Sequence, residues 1–301
     1  MTLYLKIMGS SYFKSHYLTT TENDKKWGII CTTVGLQFID PHGKYPLGAH
    51  PNNYQTVKKG RILDEYQLIY ITKGEGYFES TNCKRTKVKA GNILFLFPGE
   101  WHCYAPDANT GWSEYWVGFK GPNIDRRVQH GFFSPKQPIL NIGYSVGIEN
   151  CYQEMIRETE QEKTGFQILV SSIVLHILGY VIYKHNNKLY ESNPIVDKIN
   201  QARKIMRENV NKPLSLESIA TDLNLSYTWF RRAFKEYTGI SPAQYQLQIK
   251  LNRAKELLTN SNLNISEIAY DLGFESVSHF CTFFKSREKF TASEYREKFK
   301  F

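Results

Sequence analysis

The sequence predicts an α+β chain, with strands first and helices after, on three observations. Up to about Pro122, short runs rich in β-branched and aromatic residues alternate with turn residues. From about Ile148 the apolar spacing changes to the helical period. Beyond Asn193 one helical pattern occurs twice.

The strands come first. Tyr66–Ile71 (YQLIYI), Asn92–Phe97 (NILFLF) and Trp112–Phe119 (WSEYWVGF) have the composition of buried strands. Lys73-Gly74-Glu75-Gly76 and Lys89-Ala90-Gly91-Asn92 supply turn chemistry between them. Many short strands at this spacing indicate a small sandwich or barrel. Gln153–Lys163 is polar and helix-prone. Phe166, Leu169, Val170, Ile173, Val174, Ile177, Leu178 and Val181 then follow i, i+3, i+4, i+7 spacing, which marks an apolar helix face. Lys184–Ser192 is polar and aperiodic and reads as a linker. The expected organisation is therefore a barrel over residues 1–145, a helical segment over 146–184, a linker over 185–192 and a helical domain over 193–301.

Helix starts in the last part are explicit. Asn193-Pro194 is an N-cap followed by proline at the first helical position. Ser241-x-x-Gln244, Asn264-x-x-Glu267 and Thr291-x-x-Glu294 have the spacing of capping boxes. Seven helices are expected, near 195–210, 216–223, 227–238, 242–259, 265–272, 276–288 and 292–299.

Composition bounds the function. The chain is 301 residues long, 41% hydrophobic and 14% aromatic, enough for packed cores. Its net charge is +9. From Asn193 onward 17 Lys+Arg stand against 12 Asp+Glu, and before it 21 against 17, so the positive charge is denser at the C-terminal end. That suits a polyanionic partner. Cys31, Cys83, Cys103, Cys151 and Cys281 are odd in number and form no C-x-x-C, which reads as free thiols in a reducing cytosol. The first residues lack a signal-peptide pattern, and the most apolar segment, Ile168–Tyr183, is 16 residues long and interrupted by Ser171, Ser172, His176 and Gly179. A cytoplasmic protein with no membrane partner is expected.

The repeat carries the function. IATDLNL (Ile219–Leu225) matches IAYDLGF (Ile268–Phe274) at an offset of 49, with four of seven positions identical. FRRAFK (Phe230–Lys235) matches FCTFFK (Phe280–Lys285) at an offset of 50, and Tyr245 matches Tyr295. Ala220 and Ala269 are small where two helices cross closely. Asn224 and Gly273 tolerate positive φ at the turn. Leu225 and Phe274 plug the gap, and Phe230/Phe234 and Phe280/Phe284 form the buried face of the next helix. This is the physics of a helix-turn-helix, whose second helix leaves its other face for a DNA groove. The helix over Ser241–Thr259 is long enough, about 27 Å at 1.5 Å per residue, to space two recognition helices into successive major grooves about 34 Å apart.

On these residues, above all I-S-E-I-A-Y-D-L-G-F-E-S-V-S-H-F-C-T-F-F-K (Ile265–Lys285) and T-G-I-S-P-A-Q-Y (Thr238–Tyr245), the C-terminal domain resembles the AraC/XylS family of bacterial transcription regulators. The family often has Arg where Thr282 stands, Gly at Lys289 and Pro at Ala292. The resemblance implies double-stranded DNA as partner. It implies base reading by Thr228, Arg231 and Arg232 in the first unit and by Ser278, His279 and Thr282 in the second. Ser226, Ser276, Lys235 and Lys285 stand where phosphate contacts are expected. RNA polymerase is a further possible partner of such a regulator.

The stretch G-N-I-L-F-L-F-P-G-E-W-H (Gly91–His102) resembles the second half of a cupin barrel motif. The first half, with its H-x-H ligands, is missing, and residues 66–80 contain no His. With His102 as the one candidate ligand, a metalloenzyme is disfavoured, and no metal or other cofactor is expected. Pro98–Tyr104 and Gly111–Phe119 are similar to the effector domain of the arabinose-type members. That similarity implies a small-molecule effector, with a monosaccharide as the candidate. It places Tyr104, Glu114 and Trp116 in the effector set, beside His102 and a cation at Lys59 or Arg61. An indole stacks on a pyranose while carboxylate and phenol take hydroxyls. Glu114 stands where arabinose binders have His, so the ligand need not be arabinose. Trp116 also reads as core packing, and Glu114 as a solvated strand face. His50–Gly76 more loosely resembles sensors of Bacteroidota regulators associated with carbohydrate use. A non-sugar effector, and a barrel that only dimerises, stay open. Relatives dimerise through helices after the barrel, so a homodimer through Phe166–Ile182 is expected, against a helix buried in its own subunit.

Overall fold

The computed structural model describes residues 11–47, 60–188, 190, 193–212 and 214–300, in two units divided between residues 189 and 190. The first unit runs through β1 (Tyr12–Tyr17), a one-turn helix α1 (Glu22–Lys25), β2 (Ile30–Ile39), β3 (Arg61–Ile62), β4 (Tyr66–Ser80), β5 (Cys83–Lys89), β6 (Asn92–Leu96), β7 (Trp101–Pro106), β8 (Trp112–Lys120), α2 (Pro122–Gln129), β9 (Ile139–Asn141), α3 (Val146–Gln161) and α4 (Phe166–Lys188). The strands pair antiparallel in the order β1-β2-β8-β4-β6-β9, with β5 and β7 also on β4, and β3 on β7.

β4 belongs to both layers of this barrel-like sheet. Gln67–Tyr70 pairs with β6, and Gly76–Ser80 pairs with β7. No turn occurs at Lys73-Gly74-Glu75-Gly76, where the glycine pattern predicts one. The strand runs on through these residues in sequence, with a register shift between Ile71 and Lys73 in its pairing with β8. The glycines serve close approach instead: a Cβ on Gly74 would lie 2.1 Å from the Gly111 carbonyl oxygen, and one on Gly76 would lie 2.1 Å from that of Ala105.

Alternation along each strand sorts side chains to two faces. On β8, Tyr115, Val117 and Phe119 join Val34, Leu36, Leu68 and Tyr70 in a core completed by Tyr152, Met155, Val170, Val174, Ile177 and Val181 of α3 and α4. Trp112 and Trp116 point the other way, into the interior with Ile39, Ile69, Ile71, Leu94 and Tyr104. Polar ties seat the helices on the sheet. Tyr152 donates its hydroxyl to the Leu68 carbonyl at 3.1 Å, and the Gln167 amide donates to the Cys31 carbonyl at 3.0 Å.

α4 is 23 residues long, mean hydropathy 1.9 over its most apolar window, so by length and composition it could cross a membrane. The helix runs past residue 184, where the helical segment was expected to end, so residues 185–188 continue it and do not begin the linker. Its apolar face packs on the sheet.

The second unit contains α5 (Pro194–Glu208), α6 (Leu216–Asp222), α7 (Tyr227–Thr238), α8 (Pro242–Asn260), α9 (Ile265–Asp271), α10 (Val277–Glu288) and α11 (Ala292–Phe299). All seven expected helices are present, with ends shifted by no more than about two residues. Asn193 caps α5, and the three predicted capping boxes are formed at Ser241, Asn264 and Thr291. α8 serves two cores. Tyr245 and Ile249 pack with α5, α6 and α7, while Ala254, Leu257 and Leu258 pack with α9 and α10.

Candidate functional site

Inside the first unit, β2 and β8 bring Gln37 and Glu114 face to face as direct cross-strand partners. The Gln37 amide donates to Glu114 Oε1 at 2.8 Å. Glu114 is 2% exposed and Gln37 is fully buried. Burial pushes the Glu114 carboxyl up to about 8, opposed by the Gln37 hydrogen bond and by the charge of Arg61. It is thus largely protonated at neutral pH, and it is not on a solvated face. Among the described residues, Gln37 Oε1, Glu114 Oε2 and Trp112 Nε1 have no hydrogen-bond partner.

A second polar group sits on β3 and β7, where Arg61 pairs directly with His102. Arg61 Nε donates to His102 Nε2 at 3.3 Å, and its Nη2 donates to the Tyr104 hydroxyl at 3.1 Å. His102 Nδ1 lies 3.1 Å from the Glu100 carbonyl. A carbonyl only accepts, so Nδ1 carries the proton and Nε2 is the acceptor. Burial, and then the Arg61 charge, pull the His102 imidazole down to about 4, which keeps it neutral. Aromatic rings complete the interior: Trp116 lies 5.6 Å from Phe13, and Trp112 lies 6.1 Å from Tyr104 and 6.0 Å from Tyr45. Further along, buried Glu65 accepts from Gln67 at 2.8 Å and from Thr32.

The structure therefore turns all five of Arg61, His102, Tyr104, Glu114 and Trp116 inward. Lys59 lies outside the described residues, as does the His50–Lys59 part of the looser resemblance. Sequence reasoning missed Gln37 and Trp112. The signal for Trp112 was its spacing: it shares the face of Glu114 and Trp116 by period two. Among the described residues no three His, Cys, Asp or Glu side chains are grouped to hold a metal ion.

In the second unit the two turns are built alike. Asn224 and Gly273 take φ of 53° and 67°. The next amide closes on the alanine carbonyl in both, Leu225 to Ala220 at 2.9 Å and Phe274 to Ala269 at 3.0 Å. α7 buries Phe230, Ala233 and Phe234 and exposes Thr228, Arg231, Arg232 and Lys235. α10 buries Phe280 and Phe284 and exposes Ser278, His279, Thr282 and Lys285. Ser226 and Ser276 are N-caps, accepting from the amides of Trp229 and His279. Each keeps only its hydroxyl proton to offer a phosphate. Sequence reasoning passed over Trp229, which is 39% exposed and carries the Arg232 guanidinium 4.6 Å above its ring.

Residues 45–178 match the family model described as the AraC-like ligand binding domain, and residues 219–298 match that of a helix-turn-helix domain. The chain belongs to the AraC family. It is a transcription regulator with a ligand-binding and a DNA-binding domain, not an enzyme. Among its relatives is the MmsAB operon regulatory protein of Pseudomonas aeruginosa, 26% identical over 240 residues, covering 78% of this chain and 76% of the relative. Another is the raffinose operon transcriptional regulatory protein of Pediococcus pentosaceus, 24% identical, covering 81% of this chain and 89% of the relative. A similar solved structure is the C-terminal domain of AraT, a response regulator from Geobacillus stearothermophilus, 30% identical, covering 35% of this chain and 87% of that one with a TM-score of 0.34.

Proposed function

We propose that this AraC-family regulator senses a sugar or sugar derivative in its barrel and controls carbohydrate-use genes. The observation that carries the reading is the buried Gln37–Glu114 pair between Trp112 and Trp116. Its partnerless polar atoms face the same interior as two indole rings. Hydroxyls of a pyranose satisfy such atoms while its apolar face stacks on an indole. The raffinose operon regulator among the relatives supports the class of ligand.

The effector set is Arg61, His102, Tyr104, Glu114 and Trp116, joined by Gln37 and Trp112. The DNA set is Thr228, Arg231, Arg232 and Lys235 on α7 with Ser276, Ser278, His279, Thr282 and Lys285 at α10. Two chains associate through α4. Its outward face places Leu169, Ser172, His176, Gly179 and Tyr183 at heptad spacing, with Leu169 and Tyr183 43% and 60% exposed. Effector binding shifts the disposition of the paired DNA-binding domains, which requires different effector affinity in the two states.

The test is thermal unfolding of the full chain with a panel of mono- and disaccharides. A sugar that binds raises the midpoint in wild type and not in Glu114→Ala. No shift with any sugar contradicts the sugar reading.

A further inference from the structure

Lys250 is a buried lysine that stands on neither α7 nor α10. It lies in α8, is 8% exposed, and has no carboxylate within ion-pair distance among the described residues. Its ammonium donates to the Gly273 carbonyl at 3.5 Å and stands 5.1 Å from the centre of the Phe274 ring. Burial lowers its pKa. Replacing a poorly compensated buried charge by an apolar chain of similar volume is often neutral or stabilising, so stability alone does not account for a lysine here.

What Lys250 touches is the turn that launches α10. Gly273 holds the left-handed turn conformation, with φ of 67°. Phe274 contacts three residues of the recognition helix: the His279 ring edge-on at 5.4 Å, Phe280 at 5.3 Å and Phe283 at 5.3 Å. The contacts thus run from Lys250 through Gly273 and Phe274 to His279. The second helix needs such a brace more than the first. α7 offers Arg231 and Arg232, long side chains that reach a base from a range of helix positions. α10 offers Ser278, His279 and Thr282. Short side chains reach a base only when the helix backbone is held at the right depth in the groove.

We propose that Lys250 is a positioning residue for DNA recognition: by clamping the Gly273–Phe274 turn it sets the depth and angle at which α10 reads its bases. The proposal rests on α10 being a base-reading helix.

The experiment selects binding sites from a randomised DNA duplex library with the full chain and its variants. His279→Ala and Arg231→Ala identify which part of the selected motif each recognition helix reads. Lys250→Met is expected to fold with an unfolding midpoint close to wild type. It loses roughly tenfold in preference across the part that His279 reads, the order of one base contact, and leaves the Arg231 part unchanged. Lys250→Arg, which keeps a donor and a cation, restores much of that preference. Phe274→Leu gives the turn the residue that Leu225 supplies in the first unit, and it breaks the same chain of contacts. It loses the same part of the motif, so the test survives if Lys250→Met does not fold. Retention of the second part in Lys250→Met or Phe274→Leu, or equal weakening of both parts, overturns the proposal. A motif unchanged by His279→Ala instead overturns the reading of α10, and the proposal with it.

Discussion

Gly35 and Trp116 are cross-strand partners on β2 and β8, and a Cβ on Gly35 would lie 2.2 Å from Cζ2 of the indole. The missing side chain is the space that the ring occupies. Gly35→Ala therefore displaces Trp116 or bends β2, at a cost of about 1–3 kcal/mol by the usual scale of overpacking. Denaturant unfolding followed by tryptophan fluorescence measures both effects. An unchanged midpoint with unchanged emission would show that the indole has room to move.

Glu114 makes the stability of the barrel depend on pH. Its folded pKa, about 8, is above the ordinary 4.5, so between those values the folded state holds a proton that the unfolded state releases. Its contribution is full below pH 4.5 and is lost as pH rises through 8. His102 acts in the opposite sense, folded near 4 against 6.5, so its contribution is present above 6.5 and lost as pH falls through 4. The two slopes oppose each other between 4.5 and 6.5. From about 6.5 to 8 only the Glu114 slope remains, at most about 1.4 kcal/mol per pH unit for one proton. Unfolding free energies of wild type should fall across that window, and Glu114→Gln should remove that fall. The same slope in both proteins would assign it to other groups.

Lys289 ends α10 with φ of 64°, the conformation that Gly239 adopts after α7. A left-handed residue with a Cβ is strained by roughly 1–2 kcal/mol, part of which glycine returns as unfolded-state entropy. Lys289→Gly is expected to stabilise the second unit by about 0.5–1 kcal/mol. A lower melting temperature in calorimetry would mean that the lysine side chain contributes more than its backbone strain costs.

The helical half was legible because its determinants are local. A capping box at Ser241 or Asn264 is a matter of two hydrogen bonds three residues apart, and these are visible in the sequence as spacing. The alanine–turn–plug pattern recurs because both units solve one packing problem. The barrel was legible only in part. β2 escaped notice because Gly35 and Gln37 interrupt its apolar pattern, and they do so for reasons that lie on β8. Gly74 and Gly76 read as a turn because glycine's signal is the same for a turn and for close backbone approach; the difference lies in Gly111 and Ala105, tens of residues away. The inward residues Arg61, His102, Tyr104, Glu114 and Trp116 were reached through family resemblance, and their common inward face is set by strand alternation that the sequence reading did not apply to them. Gln37 needed the β2–β8 register, which no local pattern contains.

The central claim is that two unequal helix-turn-helix units read one site, with the stronger base chemistry on α7. Selection from a randomised duplex library by wild type, Arg231→Ala and Arg232→Ala tests it most directly. Wild type should select two blocks about one helical turn apart. Each arginine variant should lose about 1–3 kcal/mol of discrimination at one position of the more strongly specified block, and little in the other. A single undivided motif, or a loss of affinity equal on all sequences, would contradict the account and make both arginines phosphate contacts.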